Sequence, residues 1–156
     1  MLNTYLAPMI PADIDFVLAH LWERGEVEAK KFDMESRAEI GRYMHGLPRE
    51  FAWTIWHGFS PLAVLIAAKS DDGKHYTTFI ATDSFPKAGL AATRILNRLF
   101  KDGLAENPHV ALELWSASDH PMADKWFKCI GFERVEDQGL FRVYRGGAKN
   151  PVADKK

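Results

Sequence analysis

The chain has 156 residues, 47% of them hydrophobic, which is the size and composition of one globular domain with its own core. Its formal net charge is −1 at pH 7, and the interleaving of basic and acidic residues excludes the basic surface that nucleic acid or an anionic membrane would require. The single cysteine excludes an intramolecular disulfide, and no apolar run approaches the ~20 residues that span a bilayer. The N-terminal residues lack the pattern of a signal peptide, so we expect a cytoplasmic protein with no nucleic-acid or membrane partner.

The first third of the chain predicts one strand and two helices. A short strand is expected at residues 3–7, and Pro11 opens the first helix because proline is tolerated in a first turn. A charged stretch at residues 23–31 follows this helix. Asp33 has the side chain to cap a second helix, which ends at Gly46. The apolar side of the first helix consists of Ile14, Val17, Leu18, Leu21 and Trp22.

The middle of the chain predicts three strands and a long helix. Residues 51–56 and 62–68 are rich in aromatic and aliphatic side chains and are joined by a hairpin-type connection. A second turn signal leads into a strand at residues 75–82. A loop at residues 83–88 then precedes a helix at residues 89–104, where leucine and isoleucine residues recur at helical spacing.

A fifth strand and a short helix are predicted next. Hydrophobic residues alternate with others along residues 109–115, and this period of two indicates a strand. Asp119 can cap the following helix, which stops at Gly131. Cys129 falls on the apolar side of this helix, so we expect a core residue rather than a nucleophile. The other members of that side are Met122, Trp126 and Ile130.

The C-terminal residues predict a hairpin and a tail. Residues 133–136 and 140–145 are expected to pair with each other across a short turn that contains a glycine. Residues 147–156 are small and polar and are expected to be a disordered tail. The sequence contains no internal repeat and no interdomain linker, so residues 1–146 are predicted to form a single domain.

The last helix resembles the end of the GNAT N-acetyltransferase superfamily, where a helix carrying Asn-x-x-Ala-x-x-x-Tyr-x-x-x-Gly-Phe follows the fifth strand. Ala123, Gly131 and Phe132 match this motif, while His120 stands at the asparagine position and Phe127 at the tyrosine position. The order of the predicted elements is similar to the GNAT order over nearly the whole chain. The resemblance implies a mixed α/β (α+β) fold in which about four helices flank a mostly antiparallel central sheet of about seven strands.

The same resemblance implies transfer of an acyl group from acetyl-CoA, or another acyl-CoA as co-substrate, to an amine, without a metal. In the family the fourth and fifth strands splay apart and the pantetheine arm pairs with the fourth, which here places Phe79, Ile80 and Ala81 beside it. A loop of the form Arg or Gln-x-x-Gly-x-Gly or Ala holds the pyrophosphate, and residues 86–91 are the best match. The cofactor contacts implied in this loop are Lys87, Ala88, Gly89, Leu90 and Ala91.

The match of this loop to the family is partial. Pro86 offers neither a side-chain donor nor an N–H, and Lys87 is expected to supply the missing positive charge. The alternative is that Gly89 and Ala91 are simply small residues at the start of a tightly packed helix.

Two residues are candidates for catalysis. Glu113 is a lone carboxylate on an apolar strand, where partial burial would raise its pKa and suit it to act as a general base; a salt-bridged structural glutamate is the alternative. His120 is a candidate acid or pantetheine ligand, or else a turn residue before a proline. Ser118 can bond the cofactor or its thiolate, although turn capping explains it equally well. Phe127 has no hydroxyl with which to protonate the departing CoA sulfur. Weaker candidates for the base are His57 and His75.

A second, looser resemblance points to a different class of protein. The turn at residues 82–84, the partial phosphate loop and residues 127–131 are also similar to a small GNAT-like protein of short-tailed bacteriophages. That likeness implies a virion or assembly protein without turnover, whose partners are proteins of the phage particle. The sequence does not name the acceptor amine, and a homodimer through sheet edges is an expectation by analogy alone.

Overall fold

A single sheet organises the protein, and the computed structural model describes it within residues 3–118 and 120–147. Its strands are β1 (Thr4–Pro8), β2 (Phe51–His57), β3 (Ser60–Lys69), β4 (His75–Ala81), β5 (Ala111–Ser116), β6 (Glu133–Gln138) and β7 (Phe141–Gly147). They lie in the order β1-β2-β3-β4-β5-β7-β6. Neighbouring strands are antiparallel except β4 and β5, which are parallel.

Helices cover both faces of this sheet. Those within the described residues are α1 (Pro11–Ala19), α2 (Glu23–Lys31), α3 (Arg37–Gly46), α4 (Gly89–Glu106) and α5 (Ala123–Cys129), with a 3₁₀ turn at Phe85–Ala88 before α4. The helices α1, α2 and α3 pack on one face of β3 and β4, where Ile14, Met44 and Ile66 are completely buried. The helices α4 and α5 pack on the other face, around Leu96 and Phe132. The predicted fold class is therefore confirmed, with five helices rather than about four.

The charged stretch at residues 23–31 is a helix that the sequence pattern did not predict. Its first turn carries Glu23 and Glu26 and its last turn carries Lys30 and Lys31, an arrangement that stabilises the helix dipole. Only Ala29 is buried, so the helix lacks the apolar stripe by which an amphipathic helix is recognised. The first helix is correspondingly shorter than its apolar pattern, since it ends at Ala19.

The start of α3 also differs from the prediction. Ser36, not Asp33, caps this helix, because the Ser36 hydroxyl accepts a hydrogen bond from the Glu39 N–H (3.2 Å). The Glu39 carboxylate in turn accepts the Glu35 N–H (3.2 Å). Asp33 instead adopts a φ of 62° in the turn after α2.

Helix α5 presents a different face to the core than expected. Ala123, Phe127 and Ile130 recur at helical spacing and point inward, whereas Cys129 is exposed. The prediction that Cys129 is a core residue is therefore wrong, because its position lies away from this inner stripe. Gly131 has a φ of 102°, which fits its predicted role in ending the helix.

The sheet extends one residue beyond the predicted end of the domain. Gly147 is the last residue of β7, and its φ is 80°. A Cβ added there would lie 2.5 Å from the Val110 carbonyl oxygen, so this close approach requires glycine. The predicted cap Asp119 and residues 148–156 of the predicted tail lie outside the described residues. Within the described part of the chain, no helix combines the length and apolar character needed to cross a membrane.

Candidate active site

The parallel strands β4 and β5 separate soon after they meet. Their described residues pair at His75–Leu112 and Tyr76–Glu113, after which β4 continues alongside β3 while β5 pairs with β7. A wedge-shaped opening therefore lies between them. We call this wedge the splay, and we call its narrow end, at Tyr76 and Glu113, the vertex.

A cavity of about 910 Å³ occupies the splay and passes through the sheet. On one face of the sheet it reaches Gly89 in the first turn of α4 and Trp126 of α5. On the opposite face it reaches Glu28 of α2 and Tyr43 of α3. Its walls are largely apolar with a few polar groups, which is typical of a site for a small organic ligand.

The backbone of β4 leaves few groups free to pair with a ligand in the splay. The Thr82 N–H donates to a carbonyl of β3 (2.9 Å), and Ile80 also faces β3 because alternate residues of a strand share an edge. Phe79 and Ala81 face the splay instead. The Ala81 carbonyl accepts the Trp22 N–H (2.9 Å). Phe79 is thus a residue of β4 whose backbone is free to pair with a ligand on this side, and the Ala81 N–H is free there as well among the described residues.

The first turn of α4 presents backbone N–H groups at the wide end of the splay. Ala88 precedes this turn and has no side chain with which to cap it. The Lys87 N–H donates to the Ser84 carbonyl (3.1 Å), so it is already used. A Cβ added at Gly89 would meet nothing within 4 Å, which leaves the turn open to approach. Such a helix start attracts anions.

Five aromatic rings form one wall of the cavity, and neighbouring ring centroids lie 5.2 to 6.4 Å apart. We call this set the aromatic wall; it consists of Trp22, Phe79, Phe85, Trp126 and Phe127. The indole N–H of Trp126 donates to the Thr93 hydroxyl (3.0 Å), which ties α5 to α4. Sequence reasoning missed the wall because its members come from four separate segments and share no local spacing.

Glu113 lies at the vertex and is almost completely buried, with 3% exposure. Its carboxylate accepts the Trp115 indole N–H (2.8 Å) and contacts the Lys74 ammonium (3.0 Å) and the Arg145 guanidinium (3.4 Å). Burial raises the pKa of Glu113, but the hydrogen bonds and the two cations outweigh burial and hold the pKa below its ordinary value. The expectation of a raised pKa is therefore wrong, whereas the alternative of a salt-bridged glutamate matches the observed contacts.

His120 lines the cavity just beyond the end of β5. Its Nδ1 accepts the Met122 N–H (3.1 Å), so in the neutral imidazole the proton lies on Nε2. The Ser118 hydroxyl accepts the His120 N–H (3.3 Å), which is the turn-capping role that the sequence left open for Ser118. Neutral His120 is therefore a hydrogen-bond donor at Nε2.

Helix α2 is fastened to the chain just after β5 by two side chains. The Glu28 carboxylate accepts the Ala117 N–H (2.8 Å), and the Lys31 ammonium donates to the Ala117 carbonyl (3.0 Å). Both contacts hold one residue beside the cavity, so α2 bounds the cavity on that side. Sequence reasoning missed them because more than eighty residues separate the partners.

Comparisons with known proteins identify this architecture through solved structures. No protein-family model and no curated protein matches the sequence. An acetyltransferase from Thermus thermophilus is 21% identical, with a TM-score of 0.60 over 92% of this chain and 96% of its own. The PaiA N-acetyltransferase from Thermoplasma acidophilum, crystallised with coenzyme A, is 7% identical, with a TM-score of 0.65 over 94% and 99%. The ribosomal-protein-S18-alanine N-acetyltransferase from Escherichia coli is 11% identical, with a TM-score of 0.63 over 95% and 97%.

The chain has the GNAT fold. The resemblance inferred from the sequence is thus confirmed at the level of the fold, and identities of 21% or less to these structures carry the comparison no further.

The tyrosine position of the GNAT motif is occupied by Phe127, which lines the cavity. Tyr144 packs against Phe127 with a centroid distance of 4.4 Å, but its hydroxyl donates to the Asp124 carboxylate (2.5 Å). Burial and this hydrogen bond raise the pKa of Tyr144 to about 12. Because its hydroxyl is engaged with Asp124, Tyr144 does not replace the missing tyrosine.

The cavity brings together most of the residues singled out from the sequence. Those that line the cavity are Phe79, Ile80, Ala81, Gly89, Glu113, Ser118 and His120. Four further candidates do not line the cavity: Lys87 and Ala88 precede the first turn of α4, and Leu90 and Ala91 lie within it. Leu90 is 69% exposed. His57 bonds the Thr4 hydroxyl (2.9 Å), and it and His75 lie outside the lining. The described residues hold no group of three or more His, Cys, Asp or Glu side chains arranged for a metal ion.

Proposed function

We propose that the protein is a GNAT N-acyltransferase that moves an acetyl or other acyl group from acyl-CoA to an amine. The observation that carries this proposal is the single cavity that runs from the first turn of α4 through the splay to the face covered by α2 and α3. Such a passage allows two substrates to meet from opposite faces of the sheet. The fold likeness to acetyltransferases, one of them crystallised with coenzyme A, supports the same reaction class.

The geometry supports an assignment of residues to the binding of acyl-CoA. The N–H groups of Gly89, Leu90 and Ala91 would hold the pyrophosphate at the start of α4, with the exposed Lys87 supplying a compact positive charge nearby. Ala88 contributes by leaving that turn uncapped. The backbone of Phe79 would pair with the pantetheine arm, and the aromatic wall would shield the arm from water. Ala81 offers its N–H, and Ile80 contributes to the lining.

The catalytic proposal gives His120 the role of a hydrogen-bond donor to the leaving group rather than an acid, and removes Glu113 from the role of base. A neutral amine attacks the thioester carbon, a C–N bond forms, the C–S bond breaks, and the amine nitrogen loses its extra proton to water at the cavity mouth. The Nε2–H of His120 would donate a hydrogen bond that stabilises the departing thiolate, and the thiolate would take its proton from water. Ionised Glu113 would instead hold Lys74, Arg145 and Trp115 in place at the vertex.

The magnitudes allow turnover without the family's tyrosine. A positioned acid contributes roughly 10²- to 10⁴-fold to rate, whereas alignment of two reactants provides effective molarities of about 10⁵ to 10⁸ M. Binding of acyl-CoA in the splay therefore matters more to rate than the hydroxyl that Phe127 lacks.

Calorimetric titration of the purified protein with acetyl-CoA and with CoA tests the proposal. We expect saturable binding with a Kd on the order of 10 µM. An amine screen would follow, with the acylated product measured by mass spectrometry, because the exposed Cys129 would react with a thiol reagent. Absence of heat and of any thermal shift at millimolar ligand would contradict the proposal.

A non-catalytic GNAT-like protein of a phage particle is the second candidate function. Pro86 and Phe127 favour it, because both stand at family motif positions without the functional group found there. This candidate predicts no CoA affinity and copurification with a larger particle. The same titration therefore separates the two functions.

A further inference from the structure

Thr77 carries a buried hydroxyl that has no hydrogen-bond partner. The residue is 8% exposed, and its Oγ1 is unbonded among the described residues. His75 Nδ1 is in the same condition, but Thr77 differs from His75 because it lines the cavity. Buried hydroxyl groups in proteins are nearly always paired, so an unpaired one beside a cavity points to a ligand atom that pairs with it.

Thr77 lies immediately past the vertex of the splay. Tyr76 is the last residue of β4 that pairs with β5, and Thr77 follows it. Side chains two residues apart on a strand share a face, so Thr77 points the same way as Phe79 and Ala81, towards the core beneath α4 and α5. Leu114 of β5 belongs to that same core. The hydroxyl is thus a polar group in an apolar setting, where a hydrogen bond is strengthened by the low dielectric.

Thr77 lies at the narrow end of the splay and Gly89 at the wide end, so the position of a bound ligand's phosphates determines which of its atoms lies beside Thr77. β4 runs from the vertex to Ala81, and the chain then leads to the first turn of α4 at Gly89. A ligand with its phosphates at Gly89 would extend along β4 with its opposite end at the vertex. For acyl-CoA, that opposite end is the thioester, whose hydrogen-bond acceptor is the carbonyl oxygen.

We propose that the Thr77 hydroxyl donates a hydrogen bond to the acyl carbonyl oxygen of the donor substrate. This inference rests on the proposed function. As the C–N bond forms, the carbonyl oxygen gains negative charge and the hydrogen bond from Thr77 strengthens; when the C–S bond breaks, the oxygen returns to a neutral amide carbonyl. Thr77 keeps its own proton throughout. It therefore distinguishes acyl-CoA from CoA, which has no such oxygen.

The test compares Thr77→Val, which keeps the shape and removes the hydroxyl, with Thr77→Ser, which keeps the hydroxyl. The affinities for acetyl-CoA and for CoA are measured by calorimetry on each protein. We expect Thr77→Val to weaken acetyl-CoA binding by about 3- to 10-fold while CoA binding is unchanged, and Thr77→Ser to retain the wild-type ratio. Where an acceptor amine is known, kcat/KM should fall about 10²-fold in Thr77→Val.

A thermal melt of each variant controls for misfolding. Because the hydroxyl has no partner in the free protein, Thr77→Val should melt at or above the wild-type temperature. An unchanged ratio of acetyl-CoA to CoA affinity, or equal losses for both ligands, would overturn the assignment of Thr77 while leaving the proposed function standing. Wild-type protein that binds neither ligand would overturn both.

Discussion

His120 lines the cavity, and its Nε2 has no hydrogen-bond partner among the described residues. The hydrogen bond from the Met122 N–H to Nδ1 fixes the neutral tautomer with its proton on Nε2. That tautomer can donate a hydrogen bond at Nε2, but it is not an acid towards a thiolate, because loss of the Nε2 proton would leave an imidazolate. The same position in the GNAT motif holds asparagine, whose side-chain amide can also donate a hydrogen bond.

We predict that His120→Ala lowers kcat by about 10²-fold while KM for acyl-CoA changes little. Alanine removes the ring N–H that stabilises the departing thiolate, whereas His120→Asn keeps a side-chain N–H and should lose less. Steady-state kinetics with the best acceptor amine measures both parameters. If kcat and KM of His120→Ala are both unchanged, His120 is a turn residue and not a donor to the thiolate.

The matched gain of function is Phe127→Tyr in the His120→Ala background. Phe127 lines the cavity at the tyrosine position, so the added hydroxyl would enter the splay. We expect it to restore part of the lost kcat. A double variant as slow as the single one would show that the thiolate leaves without help from this side of the cavity.

Glu113 illustrates what a sequence can and cannot reveal at the scale of one residue. Its position on an apolar strand predicted partial burial, and the carboxylate is buried beside the cavity. The direction of its pKa shift depends on Lys74, from the β3–β4 turn, and Arg145, from β7, and no local pattern links either residue to Glu113. The alternation of residues along a strand indicates which side chains are buried, whereas the partners of a buried charge depend on tertiary contacts.

At the scale of elements, the start of α4 is the proposed anion site. Gly89 has ordinary helical dihedrals, and a side chain there would meet open space. Gly89 is therefore not required by the fold, in contrast to Gly147, where a Cβ would collide with the backbone. A role in binding gives a reason for glycine at this position.

We predict that Gly89→Glu weakens binding of CoA by at least about 10-fold, because it places bulk and negative charge beside the phosphates. The melting temperature should be unchanged or slightly higher, since a carboxylate in a first turn stabilises the helix dipole. Gly89→Ala is the control, because it adds a methyl group without charge, and it should weaken CoA binding less than Gly89→Glu does. Equal affinity in the Glu variant would remove the start of α4 from the site.

Elements differ in how well the sequence predicts them. Most of the strands and α4 carry periodic apolar residues, and all of these elements were predicted within a few residues of their observed bounds. Helix α2 was missed because it is polar on nearly every side and is held by Glu28 and Lys31 through contacts with Ala117. A helix stabilised by charges at its ends and by distant hydrogen bonds leaves no apolar period in the sequence.

At the scale of the whole molecule, the order of elements was enough to match the GNAT fold, and a mostly antiparallel sheet of about seven strands followed from that resemblance. The splay was expected only from the family resemblance, because the sequences of β4 and β5 do not indicate where the pairing between these strands ends. The cavity is formed by the end of this pairing together with the aromatic wall and α2. Its lining therefore could not be derived from the sequence residue by residue.

Buried and hydrogen-bonded carboxylates give the protein a defined response to acid. Hydrogen bonds from Ser70, Lys74 and Tyr76 lower the pKa of Asp72 from its ordinary value of 3.8 to about 2. The Tyr144 hydroxyl lowers the pKa of Asp124, and the pKa of Glu113 lies below its ordinary value of 4.5. The unfolded chain therefore takes up protons first as pH falls. The stability that these groups contribute is present above about pH 4.5 and is lost as pH falls towards 2.

We predict that Glu113→Gln flattens this acid response and lowers the free energy of unfolding at pH 7 by about 1–3 kcal/mol. The amide can still accept the Trp115 N–H, but it no longer neutralises Lys74 and Arg145, so the loss at pH 7 comes from the missing negative charge. Urea unfolding between pH 2 and pH 7 measures the difference, which should shrink as pH falls below 4.5. Glu136→Gln is the matched control, because Glu136 contacts the same Arg145 (3.4 Å) from an exposed position where an ion pair contributes only about 0–1 kcal/mol. A difference between wild type and Glu113→Gln that stays constant from pH 7 to pH 2 would show that the ionised carboxylate does not stabilise the fold, and that the substitution acts through packing.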